Sequence, residues 1–323
     1  MSGPRIVSNG EIDPIAIEVL APFGEMVVST GNSEDDLLSV MNGAVGLILR
    51  AGARATASLI EAAEELKVIG RPGVGCESVD LDAATGHGIP VVYTPGANAR
   101  AMAEASLALI LALCKDLAYW DEQLKAGNWE SRFQSRPSDL DGAILGIIGL
   151  GNIGRMLAEL VAPFNMTVIA YDPYVSVQES ERLGVTLVGM EELMSSSRFI
   201  AVHAPLTDET RGMISRETLK LVVPGSYLVN LARGGLVESL DVLYEAMKDG
   251  RLAGVGLDVF DPEPPDVSHP IFRVPNCLTA PHSLGLSERA MTNIFRLMAE
   301  DMAAVLSGGR PKSVANPEVL EAK

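Results

Sequence analysis

Cysteine, aromatic side chains and positive charge are all scarce in this 323-residue chain. Its three cysteines, Cys76, Cys114 and Cys277, are odd in number and far apart, which fits neither a disulfide framework nor a zinc site, so no metal is expected. Each reads as a small buried hydrophobe, and the cytoplasm is the expected compartment. Lysine and arginine number 25 against 42 acids, a formal net charge of −17. So acidic a surface repels polyanions, which makes nucleic acid and anionic membrane poor partners. Long apolar runs are missing too. The most hydrophobic helical stretch, Ala105 to Cys114, is too short to span a bilayer and runs into Lys115 and Asp116. The opening MSGPRIVSNG has no apolar core of signal-peptide length.

Hydrophobic residues make up 47% of the chain and charged residues 21%, the mix of a soluble globular protein, and the length accommodates two domains with separate cores. From Arg5 to Tyr93, β-like runs such as Arg5 to Ser8, Ala44 to Leu49 and Lys67 to Gly70 alternate with helical ones such as Asp13 to Leu20 and Thr56 to Leu66. That alternation predicts parallel strands with crossover helices. The turn-rich segment from Tyr93 to Asn98 breaks it and reads as a hinge. One long helix is predicted from about Ala101 to Lys125, then a polar, irregular arm to Asp141 whose Trp129 and Phe133 suit packing on another subunit. Further strands at 198–203, 226–230 and 253–259, with helices around 210–221 and 236–249, predict a second parallel sheet. A last amphipathic helix at 287–306 is stopped by Gly308, Gly309 and Pro311.

The most informative stretch is Gly146 to Asp172, GIIGLGNIGRMLAELVAPFNMTVIAYD. An apolar strand feeds Gly149, Gly151 and Gly154 in the spacing GxGxxG, and a helix opens through Asn152, Ile153 and Arg155. In that arrangement the first glycine makes the tight turn, the second lets backbone amides approach a pyrophosphate, and the third lets helix pack on strand. The helix N-terminus adds partial positive charge for the phosphates. Asp172 ends the next strand, where a carboxylate accepts from the adenosine ribose hydroxyls and repels a 2′-phosphate. The expected cofactor is therefore NAD.

Six ordered blocks then carry a resemblance: RPGVGCESVDLDAATGHGIPVVYTPGANARAMAE from Arg71, LGIIGLGNIGR from Leu145, AVHAPLTDETRGMI from Ala201, VNLARGGLVE from Val229, GVGLDVFDPEP from Gly254 and TAPHS from Thr279. Together they make nearly the whole chain resemble the D-isomer-specific 2-hydroxyacid dehydrogenases. The resemblance implies an α/β fold of two doubly wound parallel-sheet domains: a Rossmann NAD domain with its dimerisation arm, 101–288, inserted in a flavodoxin-like substrate domain, 1–100 and 289–323. It implies a homodimer and hydride transfer between NAD and C2 of a small D-2-hydroxy or 2-keto acid.

By the same resemblance, Arg233 binds the substrate carboxylate and polarises its keto group, a task suited to a planar, permanently charged fork. His282 is the acid/base, and Glu263 orients it and sustains its charge. The amides of Gly73, Val74 and Gly75 receive the carboxylate, with Asn98 near substrate or cofactor. His203, Pro205, Thr210, Ala232 and Asp258 join the cofactor set, Asp258 beside the nicotinamide carboxamide. Arg50, with Arg54 and Arg71, offers a second anion site or is a solvated loop charge; both readings stand. Cys76-Glu77-Ser78 departs from the family pattern, an aromatic or small residue followed by Asp-Asn, which leaves the substrate rim open. Two rival functions also remain: a phosphite-oxidising relative, and an NAD-sensing binding protein like the corepressors of this fold.

Overall fold

A computed structural model describes residues 3–134 and 137–321, which divide into two compact units, 3–98 with 286–321, and 99–285. The first unit holds strands β1 (Arg5–Ser8), β2 (Glu25–Val28), β3 (Ala44–Ile48), β4 (Val68–Gly70) and β5 (Val91–Val92). They form one parallel sheet in the order β2-β1-β3-β4-β5. Helices α1 (Pro14–Leu20), α2 (Glu34–Leu38), α3 (Ala57–Ala62) and α4 (Leu81–Gly86) connect them. Successive strand residues face opposite layers, so both layers are apolar. Val7, Leu47, Ile69 and Val91 enter the core with Leu59 and Ile60 of α3. Ile6, Ile48, Val68 and Val92 enter the other, with Ala16 and Leu20 of α1 and with Phe295, Met298 and Met302. The buried Asn316 seals the β5 edge: its Oδ1 accepts from Val91 N at 2.9 Å and its Nδ2 donates to Ile89 O at 3.0 Å.

The second unit opens with α5 (Ala99–Cys114) and α6 (Leu117–Lys125). The single long helix predicted here is broken. Cys114 O, the carbonyl that would accept from the next helical turn, instead accepts from Ser138 N at 2.7 Å, and Asp116 takes the left-handed conformation at φ 51°. Then follow β6 (Ile144–Ile148), α7 (Asn152–Val161), β7 (Thr167–Tyr171), α8 (Val177–Arg182), β8 (Thr186–Leu187), α9 (Met190–Ser196) and β9 (Phe199–Val202). After them come α10 (Arg216–Leu219), β10 (Ser226–Asn230), α11 (Leu240–Lys248), β11 (Leu252–Leu257) and β12 (Cys277–Thr279). The helix predicted around 210–221 shrinks to α10, because Thr207 to Thr210 fold into a turn closed by their own hydroxyls. Helix α12 (Glu288–Leu306), capped by Ser287, belongs to the first unit.

All seven strands of this second sheet are parallel, in the order β12-β11-β10-β9-β6-β7-β8. Strand order reverses between β6 and β9, and ligands of open α/β sheets bind beyond the carboxyl ends of the strands at such a reversal. On β9, Phe199 and Ala201 face one core while Ile200 and Val202 face the other. The sheet is thus sandwiched, and its chemistry is confined to the strand ends.

Candidate active site

The glycine turn after β6 meets a test that an NAD-binding turn must pass. Gly149 has φ +95°, and a Cβ there would stand 2.6 Å from Ala204 N. At Gly154 a Cβ would stand 2.3 Å from Gly149 O, so α7 could not seat on the turn. A Cβ on Gly151 would meet nothing within 4 Å. That space lies at the N-terminus of the ten-residue α7, whose cap position carries no side-chain hydrogen bond. The helix thus opens, through Asn152, Ile153 and Arg155, without a capping side chain among the described residues, which suits an anion.

Asp172 follows β7 and is tied to this turn. Its Oδ2 accepts from Leu150 N at 2.8 Å and its Oδ1 from Tyr174 N at 2.9 Å. Arg155 Nε donates to Leu150 O at 2.9 Å. His203 follows β9, beside the turn, its backbone N–H donating to Ile148 O at 2.7 Å. Ser106 Oγ donates to Met102 O at 2.9 Å and lies 3.3 Å from His203 Nε2. With the hydroxyl proton spent on Met102, Nε2 is the donor and Nδ1 the bare acceptor. Nδ1 is sealed from solvent with no partner among the described residues, and burial pushes the imidazole down to about 4. His203 is therefore neutral. Thr210 Oγ1 donates to Pro205 O at 2.7 Å, so Thr210, expected in the cofactor set, spends its hydroxyl on the loop itself.

The chemistry-bearing residues stand at the ends of β10, β11 and β12. Asn230, fully buried at the end of β10, donates from Nδ2 to Arg233 O at 2.9 Å and accepts at Oδ1 from Ala232 N at 3.1 Å. This fixes the turn that carries Arg233, whose Nη1 donates to Ala232 O at 2.8 Å. The turn lies hard against the loop after β11: a Cβ on Gly234 would fall 2.0 Å from Phe260 C. Three residues on, Glu263 Oε1 accepts from Phe260 N at 3.0 Å, while Oε2 sits 2.9 Å from His282 Nδ1. Bound to a carboxylate, Nδ1 is the donor, leaving Nε2 of a half-exposed ring for a substrate.

Asp258, expected beside the nicotinamide carboxamide, follows β11. It is fully buried, its Oδ1 accepting from Ser283 N at 2.9 Å and its Oδ2 from Leu284 N at 3.2 Å. Burial raises its carboxyl, and these amides and the His282 charge pull it back. Its visible role is to hold the turn in which His282 takes the left-handed conformation, φ 53°.

Within the first unit, Gly73 (φ +138°) donates its amide to Thr94 Oγ1 at 3.0 Å. That N–H is engaged within the unit. Val74 is 46% exposed, Gly75 is partly buried and Asn98 partly buried. Arg50 donates from Nη1 to Glu11 O and from its backbone N–H to Asn9 Oδ1 at 2.6 Å, and its guanidinium lies over the Phe295 ring at 5.9 Å. Arg54 is exposed. Arg71 Nη1 donates to Pro72 O at 3.1 Å. Burial raises the Cys76 thiol, against the pull of Arg71, so it is no ready nucleophile. Among the described residues no group of His, Cys, Asp and Glu could hold a metal, and no helix is long and apolar enough to cross a membrane.

Three positioning residues escaped the sequence reading. Ser106 is a fully buried hydroxyl among the apolar residues 105–113 of α5, and that contrast was its signal. Asn230 ends an apolar strand just before the arginine turn. Glu179, 2.7 Å from Arg155 Nη1, carries no local signal.

Comparison with known proteins agrees with this geometry. Residues 107–283 match the model of the D-isomer specific 2-hydroxyacid dehydrogenase, NAD binding domain. A D-3-phosphoglycerate dehydrogenase of Methanocaldococcus jannaschii is 38% identical over 321 residues, 99% of this chain and 61% of that protein. One of Archaeoglobus fulgidus is 37% identical over 98% of this chain and 60% of its own length. The chain thus spans about three fifths of these curated relatives. A solved structure from Thermus thermophilus superposes with a TM-score of 0.89 at 32% identity, covering 96% of this chain and 99% of that one. A dinucleotide turn, an acid-supported histidine, an arginine turn and these matches agree: the chain belongs to the D-isomer specific 2-hydroxyacid dehydrogenase family, and its second unit is the NAD-binding domain.

Proposed function

We propose that this chain is an NAD-dependent oxidoreductase that moves a hydride between NAD(H) and C2 of a small D-2-hydroxy or 2-keto acid. The observation that carries the reading is the His282 Nδ1 to Glu263 Oε2 contact of 2.9 Å at the strand ends of an NAD-binding domain. A ketone becomes an alcohol by gaining one hydride and one proton, and a carboxylate-supported imidazole is built to supply the proton. Bound nicotinamide supplies or accepts the hydride. Arg233 holds the substrate's carboxylate and carbonyl oxygen in its fork, drawing electrons from C2. His282 Nε2 gives its proton to that oxygen in reduction and takes it back in oxidation, while Glu263 stabilises the imidazolium. Gly73, Val74, Gly75, Asn98 and Arg50 are the first unit's candidates for substrate contact in this reading.

The names of the curated relatives make 3-phosphoglycerate and its keto acid the first substrates to test, with glyoxylate and hydroxypyruvate beside them. NADH consumption measured across such a panel decides the matter. Turnover with at least one 2-keto acid, producing the D-alcohol, is expected. No turnover with any of them, despite tight NADH binding, would return the chain to the class of NAD-sensing binding proteins.

The same reading makes the chain a cytoplasmic homodimer. Three free thiols fit a reducing compartment. Leu117, Leu124, Trp129 and Phe133 stand 54%, 61%, 61% and 75% exposed on the arm, apolar surface that a second copy would cover. Sedimentation that gave a monomer at micromolar concentration would end this part of the reading.

A further inference from the structure

The geometry points to Glu179 as a second determinant of NAD over NADP, acting by holding Arg155 away from a 2′-phosphate; this rests on the NAD reading above. Arg155 is the cation that the glycine motif itself carries. Its Nε donates to Leu150 O at 2.9 Å, and the N–H of the same leucine goes to Asp172 Oδ2 at 2.8 Å. One residue therefore joins the guanidinium to the carboxylate that reads the adenosine ribose. Nearby arginines are what nucleotide domains use to accept a 2′-phosphate, a group of nearly two negative charges at neutral pH.

Here that use is blocked. Nη1 of Arg155 lies 2.7 Å from Glu179 Oε1. Glu179 is the third residue of α8, where its backbone N–H is capped by Ser176 Oγ at 3.3 Å, which fixes the direction of approach. Arg155 and Glu179 are partly exposed, at 34% and 43%, so the pair adds little to stability. Its consequence is electrostatic placement. Asp172 repels the 2′-phosphate directly, and Glu179 occupies and neutralises the guanidinium that would welcome it. Replacing Asp172 alone removes the first barrier and leaves the second.

The test compares NADPH and NADH binding by fluorescence titration in Asp172→Ser, in Asp172→Ser with Glu179→Gln, and in that pair with Arg155→Gln added. Adding Glu179→Gln should lower the ratio of the NADPH to the NADH dissociation constant by about tenfold, the scale of one charge-assisted contact at a half-exposed site. Adding Arg155→Gln should abolish the gain. Glu179→Ala serves equally if thermal melting finds the glutamine variant misfolded. A ratio unmoved by either Glu179 substitution, with NADH still bound, would overturn the assignment, as would a gain that survives loss of Arg155. Failure of the unaltered chain to bind NADH would overturn the cofactor reading itself, and this assignment with it.

Discussion

His282 Nδ1 lies 2.9 Å from Glu263 Oε2, although 19 positions separate the two residues in the chain. The same glutamate accepts from Phe260 N on its other oxygen, so the carboxylate is anchored to backbone before it touches the ring. The histidine is thus held by a carboxylate that the backbone itself holds.

Replacing His282 by Ala should lower turnover by two orders of magnitude or more, about the size of a general acid/base contribution. Glu263→Gln should cost roughly tenfold, since an amide does not fix the ring's tautomer and orientation as the carboxylate does. Steady-state rates across pH check both. Near-normal rates in the alanine variant would remove His282 from the mechanism.

Asp258→Asn keeps the shape of the buried side chain but replaces the oxygen nearest the Leu284 amide by an NH2, leaving that N–H only the longer 3.4 Å contact to Oδ1. Facing a buried donor with a second donor should cost about 1–3 kcal/mol of stability. The His282 turn should loosen with it, lowering kcat more than it raises KM. Thermal melts beside kinetics test this, and an unchanged kcat would show the clamp irrelevant to the acid.

Two glycines of one motif should fail in different ways. Gly154→Ala drives a Cβ to 2.3 Å from Gly149 O, an overpacking that should cost about 1–3 kcal/mol. Gly151→Ala finds open space, so the fold should hold while NADH affinity falls, because the methyl enters the side from which a pyrophosphate approaches. Melting temperature and NADH titration separate the two, and equal losses of stability would contradict the assignment of roles.

His203 titrates at about 4 in the fold against 6.5 ordinarily, so as pH falls the unfolded chain takes up its proton first. The resulting stability is fully present above pH 6.5, is lost progressively toward pH 4, and falls no further below. At neutral pH it amounts to roughly 3 kcal/mol at most. His203→Gln should flatten the denaturant-measured stability curve across that window. A curve of unchanged slope would show that another group governs it.

Much of this molecule was legible in the chain, because its strands are buried on both faces and read as apolar runs between helices. Gly149, Gly151, Gly154 and Asp172 were legible because their spacing answers to one turn and one strand length. What escaped was contact between distant segments. No local pattern announces that Ser138 N would take the carbonyl of Cys114 and break a helix, or that Thr94 would claim the amide of Gly73. Asp258 shows the same limit: its motif matched, but no local pattern announces that a fully buried carboxylate clasps the amides of Ser283 and Leu284.

His282 occupies its left-handed seat with Asp258 beneath and Glu263 alongside. Neither acid requires an imidazole there for the surrounding backbone to keep its shape. On the proposed reading, exchanging this one side chain would remove the proton donor yet leave the turn in place, so the scaffold stands one substitution from a protein that holds nucleotide and acid without reacting them.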